Sequence, residues 1–259
     1  MLWVVRRSLA QTVSGSGLAF LLAFLAYPVL FLTTKGLLYG PEQLTFSRFT
    51  VALVSVTVYI YPAFASFVSM QALLPELSEG FISLVGMRSN IGAYLFTKYV
   101  VVSCVALGTF FTSSLLSFAL AYTALPAAGL YPAVLGVPDS INIPFLNSPD
   151  NSYVVLGLSY SAWFALHGWI WSTFSFACML LVRNRFVALL APTVAFLTSW
   201  LMLSGLKLYS FTPYTSWILV NMPNPNFAEI MVTTGIEIVT AAALTVFSIR
   251  QYTRQGLAR

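Results

Sequence analysis

The chain has 259 residues, of which 59% are apolar and only 7% charged, with a net charge of +5 at neutral pH. So little charge cannot cover the surface of a soluble domain of this length, and an alternating porin-type pattern is absent, so the composition points to an α-helical integral membrane protein. The positive balance fits membrane orientation and contact with anionic lipid, and nucleic acid is not needed to explain it.

In chain order, residues 1–16 read as a short helix in the membrane interface. Leu2, Val5, Leu9 and Val13 share one face, Trp3 is an anchor, and Arg6, Arg7 and Gln11 lie elsewhere. Six apolar runs follow, near 17–32, 49–74, 93–124, 153–182, 186–206 and 228–249, and read as spans of a hydrocarbon layer about 30 Å thick at about 1.5 Å per residue. No small-x-small cleavage pattern follows Leu32, so the first run is an uncleaved span. An even number of spans puts both ends on one side. That side holds Arg6, Arg7, Arg88, Lys98, Arg183, Arg185, Arg250, Arg254 and Arg259, against Lys35, Arg48 and Lys207 on the other. By the positive-inside rule both termini are cytoplasmic. The whole of 1–259 reads as a single transmembrane domain.

The connections differ in character. Residues 75–92 form an inner segment, 125–152 a proline-rich outer loop, and 183–185 a tight inner turn. Residues 207–227, with Trp217 and Ser216-Trp217-Ile218-Leu219-Val220, are too apolar for a solvated loop and are expected to dip back into the outer leaflet. Cys104 and Cys178 fall inside spans without metal-type spacing and read as buried apolar residues.

Catalytic signatures are few. Gly-Lys never occurs, which removes the P-loop, and His167 is the only histidine, which removes the paired-histidine zinc motif. Gly15-Ser16-Gly17 is a serine nucleophile by type only, at the start of the first span and far from His167. The chain is not expected to be an enzyme or to hold a cofactor or metal of its own.

Two features carry a functional reading. Between the second and third spans, Leu77, Phe81, Leu84 and Val85 fall at i, i+4, i+7 and i+8, the stripe of a short amphipathic helix that packs into a groove or lies on the lipid interface. In the sixth span Glu229, Thr233, Glu237 and Thr240 follow spacings of four, four and three and share one face. An ionisable residue as deep as Glu237 must face protein or water. The stripe reads either as the wall of a translocation path or as interhelical glue, and His167 as a hydrogen-bonded bundle residue that could join that path.

Six spans, cytoplasmic ends and the inner sequence Glu76, Glu79-Gly80, Phe81, Leu84, Val85, Arg88-Ser89, then Tyr94 and Lys98, resemble the permease subunits of type-two ABC exporters. Met87-Arg88 stands where many members carry a proline. The closing Ser248-Ile249-Arg250-Gln251-Tyr252-Thr253-Arg254 is similar to the exit of that family's last span, and 207–227 to its re-entrant element. The resemblance implies a coupling helix, with Phe81 and Leu84 as anchors, Val85 and Gly80 beside them, and Glu76, Glu79 and Arg88 as charged surroundings. It further implies two ABC ATPase subunits that bind ATP and Mg, a second permease copy or homologue, and the plasma (inner) membrane of a bacterium or archaeon. The cargo class it suggests is an antimicrobial peptide, drug or other amphipathic compound. A secondary carrier using Glu237 is the alternative, disfavoured because no duplicated halves are visible, and an intramembrane hydrolase is the weakest reading.

Overall fold

The computed structural model describes residues 2–12, 22–27, 61–78, 81–86, 90–127, 129, 153–182, 184–217 and 226–257. The expected first span apart from 22–27, the start of the second span, most of the loop 125–152, and Glu79, Gly80 and Arg88 lie outside the described residues.

Among the described residues the fold is entirely helical. In chain order the helices are α1 (Leu2–Thr12), α2 (Tyr61–Ser78), α3 (Phe81–Gly86), α4 (Ile91–Ala119), α5 (Tyr153–Val182), α6 (Arg185–Gly205), α7 (Pro213–Trp217) and α8 (Phe227–Leu257). α4 continues through a π-helical turn, Leu120–Ala124. Among the described residues three stretches are long and apolar enough to cross a membrane: Ile91–Ala124, Val154–Val182 and Phe227–Arg254. α6 carries a shorter apolar stretch, Leu189–Gly205.

Local signals place the helix ends. The Asn90 side chain accepts from the backbone N–H groups of Gly92 and Ala93 and opens α4. Asn184 does the same for Phe186 and Val187 and opens α6. α6 closes with Leu208 N–H donating to the Leu203 carbonyl at 2.8 Å and Lys207 N–H to that of Ser204 at 3.0 Å. This is a Schellman cap in which Lys207, at φ 61°, occupies the left-handed position usually given to glycine.

α5 is the central helix and packs against α2, α4, α6 and α8. In its most apolar stretch 67% of residues are buried, against 39% for α4 and 28% for α8, so the latter two face outward along most of their length. Close approach to α4 is made at two glycines. A Cβ on Gly168 would stand 2.3 Å from the Phe110 ring, and one on Gly157 2.7 Å from that of Phe118. Serine hydroxyls tie α5 to two neighbours: Ser69 of α2 donates to the Ser172 carbonyl at 2.7 Å, and Ser161 donates to Ser114 of α4 at 3.0 Å.

Two clusters divide the interior. One is aromatic, built on Phe24, Tyr61, Phe110, Phe164, Phe196 and Trp217. The other, more aliphatic, gathers Val4, Leu73, Ile82, Val85, Leu95 and Met179, with Ile249 and Tyr252 packed against it. The N-terminal helix and the end of α8 therefore pack against the same cluster at one end of the bundle.

Several sequence expectations are corrected. α2 runs to Ser78 with Pro75 inside it, so Glu76 belongs to a bundle helix and not to an inner loop. α8 continues two turns past residue 249, because Arg250 to Arg254 form helix as readily as the span before them. α1 docks through Val4, Arg7 and Gln11, while Leu9 is exposed. Cys104 is exposed on α4, and Cys178 is half-buried.

Candidate functional site

Glu76, expected in a charged rim, is fully buried. Its carboxylate lies 2.6 Å from Lys98 Nζ and 3.3 Å from Arg7 Nε, and the Tyr94 hydroxyl donates to its other oxygen. Lys98, also fully buried, donates to the Ala72 carbonyl at 2.7 Å and to Gln11 Oε1 at 3.0 Å. One acid thus binds α1, α2 and α4 together. A lone lysine inside an apolar run signals a need for such a partner, although spacing does not say which one.

The same cluster holds α3. The Arg7 guanidinium sits 3.8 Å from the centroid of the Phe81 ring, which also meets Trp3 and Tyr94 edge-on or tilted. Ile82 and Val85 are buried in the aliphatic cluster and Phe81 is packed against it. The inward face of α3 is therefore Phe81, Ile82 and Val85, held by its own chain. This differs from a stripe of Phe81 and Val85 offered outward. The Leu84 side chain lies outside the described residues.

At the aromatic end, α5, α6, α7 and α8 enclose a second site. Trp163 Nε1 donates to the Ser216 carbonyl at 2.7 Å, which fastens α7 to α5 and carries Trp217 to full burial among Tyr61, Phe110, Phe164 and Phe196. The segment after α6 thus turns into the bundle as far as Trp217. His167 lies against Trp217 with its ring nearly parallel.

His167 Nδ1 is 3.2 Å from the Trp163 carbonyl, which can only accept, so that nitrogen carries a proton. Nε2 faces the Glu237 carboxylate at 3.5 Å and the Thr234 hydroxyl at 3.5 Å. Ser216 Oγ approaches both carboxylate oxygens, at 3.3 and 3.4 Å. The sequence put Glu237 and His167 inside the membrane; the structure makes them neighbours. The order is serine, carboxylate, imidazole, so the hydroxyl meets the carboxylate and not the base, unlike a nucleophilic relay.

Beside Glu237 a cleft of about 560 Å³ opens between α5, α6, α7 and α8. Ile170, Trp171, Phe174, Leu203 and Phe211 supply its apolar wall; Thr233, Glu237 and Thr240 contribute from α8. Three of the four residues of the predicted α8 stripe thus line one cavity, Thr240 from an exposed position. Glu229 remains outside it and accepts from the Asn226 side chain at 3.0 Å.

No family model, curated protein or solved structure matches the chain.

Proposed function

We propose that the chain is the membrane-spanning permease subunit of an ATP-driven ABC exporter, with six spans, cytoplasmic termini and a seat in a prokaryotic plasma membrane. Paired with a second permease, it would be driven by two ATPase subunits that supply the ATP and Mg sites. The observation that carries this reading is the placement of α3. A six-residue helix between α2 and the long apolar α4 is clamped to both through the Arg7–Glu76–Lys98 cluster. Force applied to α3 from outside the membrane would reach α2 and α4 directly, as a coupling element requires.

Purification from native membrane tests it. The expected result is a stoichiometric nucleotide-binding ATPase whose hydrolysis responds to the permease. Leu84→Ala should weaken that association while the bundle stays folded, whereas Phe81→Ala also removes the ring that Arg7 covers and must be checked for folding first. A folded, transport-active chain that purifies alone and moves cargo without ATP would overturn the proposal.

One observation favours a second reading, the secondary carrier. A single proton placed between His167 Nε2 and Glu237 would satisfy both groups, a suitable arrangement for proton coupling. Transport by the isolated chain in vesicles with an imposed proton gradient and no nucleotide would select it.

A further inference from the structure

We propose that the cleft between α5, α6, α7 and α8 is a binding site for a lipophilic organic monocation, with Glu237 as its counter-charge. Its volume, about 560 Å³, lies in the range that encloses a drug-sized molecule. Among the described residues Glu237 is the single ionisable one on its wall, and no lysine or arginine lines it.

Glu237 is also weakly held by its own chain. Its contacts with Ser216 and His167 all lie at 3.3–3.5 Å, longer than a charge-assisted hydrogen bond. Compare Glu76, whose lysine stands at 2.6 Å. One buried carboxylate is fully committed to two cations, whereas the other presents its carboxyl group, without a close cation, to an apolar cavity. A cation entering there recovers the Coulomb energy that the helix lacks, in surroundings that strengthen it.

The remaining wall suits such a guest. Trp171, Phe174 and Phe211 are aromatic and can offer ring faces to a diffuse positive charge. The Trp171 indole N–H, buried at the cleft, has no hydrogen-bond partner among the described residues, leaving a donor for an acceptor atom on the guest. A compact inorganic ion would find too few oxygens: one carboxylate and the three hydroxyls of Ser199, Thr233 and Thr240 do not make a metal shell. An anion would meet Glu237 head-on.

Treating the guest as cargo rests on the transporter reading above; the binding site itself does not, and a binding assay on the purified chain separates the two. Tetraphenylphosphonium and tetraphenylborate have nearly the same shape and opposite charge. Each is titrated calorimetrically into the chain in nonionic maltoside micelles against a micelle-only blank. Tetraphenylphosphonium should bind saturably, and Glu237→Gln, which keeps the shape, should weaken it about tenfold or more without strengthening its rejection of tetraphenylborate. Ser199→Leu, which fills the cleft from α6, should weaken the cation while leaving Glu237 in place. Elution profile and melting temperature verify folding of each variant. The proposal fails if the folded wild type shows no saturable cation binding, or binds tetraphenylborate as tightly. It fails equally if neither folded variant changes the affinity. Intact cation binding by a chain that never associates with an ATPase would remove the exporter reading and leave the site standing.

Discussion

Removing Glu76 should be among the most damaging single changes in the molecule. Glu76→Ala leaves Lys98 fully buried, with the Ala72 carbonyl, the Gln11 amide oxygen and the Tyr94 ring, 5.9 Å away, but no anion to answer its charge. Arg7, 36% exposed, can turn toward water, so the stranded charge is the lysine. Breaking a buried pair from one side costs about 3–5 kcal/mol. At about 2–4 °C per kcal/mol for a chain of this size, melting should fall by about 6–20 °C in maltoside micelles, read by intrinsic fluorescence. Lys98→Met should cost less, because Glu76 keeps Arg7 and Tyr94. Replacing both, Glu76→Leu with Lys98→Met, should recover most of the loss, since apolar substitutes for a buried pair are often neutral or better. A Glu76→Ala change within about 0.5 kcal/mol of wild type, the range of an ordinary surface substitution, would refute the buried assignment. So would a double variant no better than Glu76→Ala.

Gly168→Ala should lower stability by about 1–3 kcal/mol, because its Cβ meets the Phe110 ring, whereas Gly108→Ala, with open space around it, should be neutral or gain up to about 1 kcal/mol; the two melting curves decide. Trp217→Ala should cost about 3–5 kcal/mol, and a smaller loss would show that the segment after α6 does not enter the bundle. Cysteines at Ser83 and Ser148, in a background without Cys104 and Cys178, should label from opposite membrane faces; labelling of both by an impermeant reagent added outside intact cells would end the six-span topology.

The long apolar helices were legible because their signal is local: α4, α5 and α8 are continuous hydrophobic runs with capping asparagines where those are described. The α8 stripe was legible for the same reason, since 229, 233, 237 and 240 obey helical spacing whatever packs against them. Partnership was not. Glu76 looked like a loop residue because proline and a charge next to a span suggest an exit. What holds it inside is Lys98, 22 positions later, and Arg7, 69 positions earlier, and no periodicity links such positions. For the same reason the apolar face of α1 says nothing of Arg7 and Gln11, which lie off it and bond to Glu76 and Lys98. His167 and Glu237 were each read as membrane residues needing company, yet only the crossing of α5 and α8 shows that each supplies it to the other. Trp217 was the intermediate case, where excess hydrophobicity flagged the segment and its depth came only from the fold.

The central position of α5 sets an order on synthesis. The Ser69 hydroxyl finds its partner 103 residues downstream, and that of Ser114 finds its partner 47 residues downstream. Until the ribosome has delivered α5, α2 carries the Ser69 hydroxyl without its native acceptor and α4 the Ser114 hydroxyl without its native donor, and the rings of Phe110 and Phe118 have no glycine notch to enter. The early helices must therefore wait, in lipid or beside the insertion machinery, for a later one to bring them together. α8 follows α5, so the wall holding Glu237 is raised last, and a nascent chain stopped short of it has His167 facing an unfinished cavity. Incomplete chains would carry that defect as a mark for membrane quality control.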